Sequence, residues 1–229
     1  MIMHRLLPLV ALVLLSACQS LPVIVPAPFE NAVADHSDPG PFVRHPWQMV
    51  HSIESRWPDG GRGFMLGVLT VEPQTDTIAC AVLSLEGLLL FQARYENGRL
   101  EVTRALPPFH HPQMAGRMLE DIRLIFLAPP HEAVLQGLGP DNRWTRRHVS
   151  SLGTIDVTGP NDDIYDIRRY DAHHRLMRQI TISACRAPAH PLAEPVPCRI
   201  DLEASGPEAY RLHMVLTEAE PLAVDKSAP

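Results

Sequence analysis

The sequence predicts a mainly β, α+β fold: a curved antiparallel sheet or unclosed β-barrel, with helices inserted in mid-chain as a lid. Three observations predict it. Short apolar runs bounded by tight turn signals recur on both sides of the chain's middle. A helical stretch with an apolar face interrupts them after Pro107-Pro108. Roughly ten strands in one antiparallel sheet curl rather than lie flat.

The first strands are expected at Phe64–Val71, Thr77–Leu85, Leu88–Tyr95 and Leu100–Ala105. Glu72-Pro73-Gln74, Glu86-Gly87 and Asn97-Gly98 separate them, the last a strong two-residue hairpin signal. Their tight connections make an antiparallel meander. In the third run Leu89, Phe91, Ala93 and Tyr95 share one side, while Leu88, Leu90, Gln92 and Arg94 share the other.

Pro112 to Leu127 reads as a helix, with proline tolerated in the first turn. Met114, Met118, Ile122, Ile125 and Phe126 fall near one face at helical spacing. Glu120, Asp121 and Arg123 are assigned to its outer arc. A second helical piece is expected from His131 to Leu138, between Pro129-Pro130 and Gly139-Pro140.

Strands resume at Trp144–Val149, Thr154–Val157, Ile164–Tyr170, Leu176–Cys185, Arg199–Ala204 and Tyr210–Thr217. The last alternates sharply: Tyr210, Leu212, Met214 and Leu216 oppose Arg211, His213 and Thr217. Such alternation suits a sheet with one wet and one covered face. Ahead of all these, Trp47 to Trp57 is assigned a short helix that plugs one end.

The N-terminus speaks to location. His4 and Arg5 precede an apolar run from Leu6 to Leu15, then Ser16-Ala17-Cys18. This is the layout of a secretory signal. Leu15-Ser16-Ala17-Cys18 resembles the box of the bacterial lipoprotein signal. That resemblance implies removal of residues 1–17 and diacylglycerol, with fatty acids such as palmitate, on Cys18. An ordinary signal peptide or a short buried helix is the alternative. The run is shorter than the ~20 residues of a permanent membrane span. Residues 18–41, with prolines at 22, 26, 28, 39 and 41, are expected to form an extended, poorly packed tether. Residues 42–229 would be a single lipid-carrier-like β domain. By resemblance to enteric sorting signals, Gln19 in place of aspartate implies the outer membrane, facing the periplasm.

Composition excludes some classes. With 20 Lys and Arg against 26 Asp and Glu, the chain lacks the basic excess that nucleic acid rewards. Cys185 and Cys198 flank a proline-rich stretch and are expected to form a disulfide in an oxidising compartment. Two reduced thiols, or pairing with Cys80, remain open. Twelve histidines invite a metal site, but the adjacent pairs His110-His111 and His173-His174 point apart on an extended chain. No Gly-x-Ser-x-Gly elbow, Ser-x-x-Lys pair or phosphate loop is present. The expectation is a non-enzyme with no cofactor and no metal.

The blocks Ile78–Gly87, Leu90–Tyr95 and Met118–Phe126, in this order behind such a signal, carry a family resemblance. The chain resembles the LolA/LolB class of lipoprotein carriers. More closely, it resembles an uncharacterised family of bacterial outer-membrane lipoproteins, often encoded beside clusters for aryl-polyene or other fatty-acid-like lipids. The resemblance implies an unclosed barrel that binds acyl chains without a covalent bond. Phe91, Met114, Met118, Ile122, Ile125, Phe126, Leu212 and Met214 are then candidates to line an acyl cavity, although the same face could simply pack on the sheet.

The expected function is a monomeric, outer-membrane-anchored periplasmic lipoprotein that holds a lipid, lipoprotein acyl chains or a polyene for transfer or localisation. Its partners would be that molecule, the membrane, and the lipoprotein-processing and sorting machinery, with no nucleic acid. The alternative is a scaffold or assembly lipoprotein that recruits a protein partner in envelope biogenesis.

Overall fold

The computed structural model describes residues 20–26, 40–130, 133–186, 195–206 and 209–222. Signal residues 1–17 and Cys18 lie outside that set. Among the described residues, thirteen strands form one antiparallel sheet and one helix packs on it. The strands are β1 (Val25–Pro26), β2 (Trp47–Arg56), β3 (Arg62–Glu72), β4 (Thr77–Ser84), β5 (Leu89–Glu96) and β6 (Arg99–Ala105). The helix α1 (Met114–Phe126) follows. Then come β7 (Leu135–Leu138), β8 (Trp144–Ser150), β9 (Gly153–Asn161), β10 (Ile164–Tyr170), β11 (Leu176–Arg186), β12 (Pro195–Ala204) and β13 (Tyr210–Pro221).

Two meanders meet in mid-sheet. The late strands run in sequence order from β7 to β13, and β13 then pairs with β2, which opens the early meander β2 to β6. β1 and β6 are the two edges, so the barrel stays open. The mainly β architecture and unclosed sheet expected from the alternating pattern are therefore present, with one inserted helix among the described residues. Asn97 and Gly98 both adopt positive φ in the β5–β6 turn, as a two-residue hairpin requires.

Three expectations are corrected. Trp47 to Arg56 is a central strand, not a helical plug. Its buried residues Trp47, Met49, His51 and Ser55 alternate, but two of the four are polar, which hid the strand period. Residues 135–138 are strand β7 rather than a second helix, paired to both β1 and β8; residues 131–132 lie outside the described set. The lid is thus one helix. Within the expected tether, residues 20–26 are held against the sheet: Ile24 is buried and Val25–Pro26 pair with β7.

The concave face carries the core. Ile167, Ile180, Ile182, Ile200 and Leu202 from β10–β12 meet Trp47, Met49 and Ile78, and the C-terminal end of α1 closes over them with Leu124, Ile125 and Phe126. Each fully buried side chain of this size contributes about 1.5–3 kcal/mol. A second cluster, Met65, Val82, Phe91, Ala93 and Phe109, sits under the early meander. Cys185 and Cys198 are joined in a disulfide across β11 and β12, with Cα atoms 5.8 Å apart. The convex face is polar, with pairs such as Arg211–Glu203 and His213–Asp201 running across β12 and β13.

Candidate functional site

An apolar cavity of ≈ 130 Å³ separates α1 from the concave face of β2, β3, β4 and β13. Met114, Met118, Ile122, Ile125 and Phe126 form its helix wall; Leu212 and Met214 come from β13, and Ile53, Met65 and Cys80 from the early strands. Phe91 is placed elsewhere: it is buried in the second cluster against Phe109, ring centroids 5.9 Å apart. Gly67 also lines the cavity, where an added Cβ would meet the Cδ1 of Ile53 at 2.7 Å.

The helix wall is unevenly held. Asp121, Leu124, Ile125 and Phe126 are buried, whereas Met114, Ala115, Met118 and Ile122 are half-buried. The C-terminal end is further fixed by the Val43 amide, which donates to the Phe126 carbonyl at 3.1 Å. At the other end Gln113 caps without a side-chain hydrogen bond, the first turn has no acidic residue, and Gly116 follows. Each omission weakens a helix start: a missing cap costs about 1 kcal/mol, and glycine in place of alanine a comparable amount. The cavity runs under both halves of α1, and the N-terminal half, with Met114 and Met118 on its wall, is the weakly bound one.

Polar pairs latch the helix beside that cavity. Arg178 on β11 donates from Nε to Asp121 Oδ1 at 2.8 Å, and the Tyr210 hydroxyl donates to Asp121 Oδ2. Arg169 on β10 meets Glu120 at 2.6 Å, and Arg123 meets Asp76 while its guanidinium lies 4.7 Å from the Tyr95 ring centre. Glu120, Asp121 and Arg123 were assigned to an exposed arc. Asp121 is in fact buried, because the long side chains of Arg178 on β11 and Tyr210 on β13 reach up to that side of the helix. Burial pushes the Asp121 carboxyl upward, against the opposing pull of Arg178 and Tyr210. The Tyr210 hydroxyl is also raised, by burial and then by the neighbouring carboxylate.

His51 lines the cavity, packs edge-on to Phe126 and is 1% exposed. Its Nε2 lies 3.5 Å from the Pro197 carbonyl. Burial lowers its pKa to about 4, so it is neutral at pH 7. Burial likewise raises the Cys80 thiol to about 11. Neither His51 nor Cys80 therefore brings a charge to the cavity at pH 7, and the Asp121 carboxylate on its wall is paired with Arg178. Among the described residues no three His, Cys, Asp or Glu side chains cluster as metal ligands. A second, larger cavity of ≈ 430 Å³ lies at the C-terminal end of α1, between Leu127, Pro130, Leu152 and Ile155, with Arg123 and Arg169 on its wall.

The model of a family described as "Protein of unknown function (DUF3261)" matches residues 48–180, more than half the chain, and this chain belongs to that family. No curated protein matches it significantly. Among solved structures, a LolA superfamily protein from Nitrosomonas europaea is 12% identical, covering 87% of this chain and 95% of its own, at a TM-score of 0.46. A Vibrio parahaemolyticus domain assigned to outer membrane lipoprotein sorting is 8% identical, covering 88% and 92%, at a TM-score of 0.34.

Proposed function

We propose that this member of the family is a lipoprotein anchored through Cys18 in the outer membrane and facing the periplasm, which carries an acyl-bearing molecule in the cavity beneath α1. The observation that supports this reading is the cavity itself: an apolar space whose movable wall is the loosely started half of a helix. A space of ≈ 130 Å³ is about the size that admits a small aromatic molecule. Drug-sized ligands fill about 300 Å³ or more. A whole acyl chain therefore enters only as the N-terminal half of α1 lifts, pivoting on its buried Leu124–Phe126 end. Apolar area removed from water then stabilises the bound chain by about 25 cal/mol per Å². Loading and release need no cofactor and make no covalent bond.

The small volume also favours a second reading, a scaffold lipoprotein that uses the same sheet only as a core. Native mass spectrometry with lipid extraction separates the two. The test protein is exported to the periplasm with Cys18→Ser, so that any lipid present is cargo. Carriage predicts co-purifying lipid or polyene that is lost in a folded Ile122→Glu variant. A clean protein mass, with no uptake of offered fatty acids, contradicts it and leaves the scaffold.

A further inference from the structure

The segment expected to be a loose tether is instead built into the sheet. Val25 and Pro26 pair with Leu138 and Gly137 of edge strand β7. Gly137 makes the pairing possible: a Cβ there would lie 2.0 Å from the Val25 carbonyl oxygen. Upstream, Ile24 is buried, and Pro22 and Ile24 lie against Asp141, Asp156 and Arg168 across a gap of only ≈ 10 Å³. Arg147 clamps this end. It donates from Nη2 to the Pro22 carbonyl at 2.9 Å and reaches Asp156 from both Nε and Nη2 at 2.7 Å. The Arg147–Asp156 pair is buried although it lies on a face that is wet elsewhere. Removing water from a bidentate ion pair strengthens its attraction.

Only three residues separate Cys18 from Pro22, so their Cα atoms, four steps apart, lie within about 14 Å of one another at full extension. The apolar residues Val23, Val25, Val134 and Leu138 are exposed along this same edge. We infer that residues 20–26 are an orienting strap that seats the β7–β10 edge of the domain on the bilayer surface. The partner is the lipid surface into which Cys18 is anchored, and the inference rests on the lipoprotein reading. The strap acts by geometry: a domain clamped next to its anchor samples few orientations, whereas one on a 25-residue flexible linker samples many. Apolar side chains on the seated edge add contact with the headgroup boundary.

The test uses the full, processed protein in vesicles of phosphatidylethanolamine and phosphatidylglycerol with an acceptor dye on the headgroups. A donor is attached through a non-canonical residue at position 141, beside the strap, or at position 101 on β6, the opposite edge. The inference predicts stronger energy transfer from 141 than from 101. That difference is lost in Gly137→Val, which blocks the strap's pairing, and in Ile24→Glu, which exposes its buried side chain. It is also lost when a flexible insert of about ten residues between Gln19 and Ser20 lengthens the connection without touching the strap, so a folding defect in either variant leaves a third arm. Equal transfer from both positions in the parent overturns the inference, as does a difference that survives all three changes. Intact mass of the same sample separates the two levels. If Cys18 carries no lipid, the lipoprotein reading fails and this inference with it; if Cys18 is lipidated and the positions transfer equally, the strap alone is wrong.

Discussion

Asp121 on α1 and Arg178 on β11 form a buried ion pair, 2.8 Å between Oδ1 and Nε, at the junction of the firmly and weakly held halves of the helix. It is a latch rather than a core contact, since Leu124, Ile125 and Phe126 on its C-terminal side are buried, whereas no residue of the helix on its N-terminal side is.

Removing Arg178 alone leaves the Asp121 carboxyl buried without its cation. Arg178→Met should therefore lower stability by about 3–5 kcal/mol. Combining it with Asp121→Leu should recover most of that loss, because apolar replacement of both partners is often neutral. Urea unfolding of the single and double variants measures both values. A single variant as stable as the parent would show that the pair holds nothing.

Gly116 has open space where a Cβ would project. Gly116→Ala should stabilise the start of α1 by about 0.5–1 kcal/mol. The same change should slow entry of a fluorescent fatty acid, as stopped-flow mixing would record. A faster or unchanged entry would argue that the helix does not lift from this end.

Cys80 reports on the lid. Its thiol is raised to about 11 by burial, so little thiolate exists at pH 8 and the cavity shields it. Iodoacetamide should modify it more slowly than an exposed thiol. Arg178→Met should speed the reaction and a bound acyl chain should slow it, both read by mass spectrometry.

His51 makes folding sensitive to acid. Its folded pKa is depressed from 6.5 to about 4, so between those values the unfolded chain binds a proton that the folded chain does not. Stability from this group is therefore complete above pH 6.5 and falls by about 3 kcal/mol as pH drops toward 4. Asp171, held down to about 2 chiefly by the Arg175 backbone amide, adds its own loss only below pH 4. His51→Leu should flatten the stability profile between pH 6.5 and 4, and an unchanged slope would contradict the assignment.

The Cys185–Cys198 bond closes a loop of sequence separation 13. Chain entropy gives it about 3 kcal/mol, so Cys185→Ser with Cys198→Ser should lower stability by that amount while leaving acyl binding in place.

Much of the architecture could be read from alternation. β5 shows Phe91 and Ala93 inside and Gln92 and Arg94 outside, and β13 keeps the same register over Tyr210, Leu212 and Met214. The apolar face of α1 was equally legible, and seven of the eight candidate residues fall on one cavity. What escaped was long-range. β2 hid because His51 and Ser55 occupy inward positions whose satisfaction comes from the neighbouring strands and Pro197. β7 is four residues long and exists through its two partners, which no local period announces. The latch needs Asp121, Arg178 and Tyr210 together, residues separated by 57 and 89 positions from the first. The strap hid behind its prolines, which signal extended chain but not what the chain lies on.

The central claim is that acyl chains enter beneath α1, and a photoactivatable fatty acid tests it most directly. Irradiating the loaded protein and mapping the modified peptides should place label on α1 and on the inward residues of β2, β3 and β13, with loss of label in Ile122→Glu. Label confined to the convex face, or none above background in a folded protein, would contradict the account.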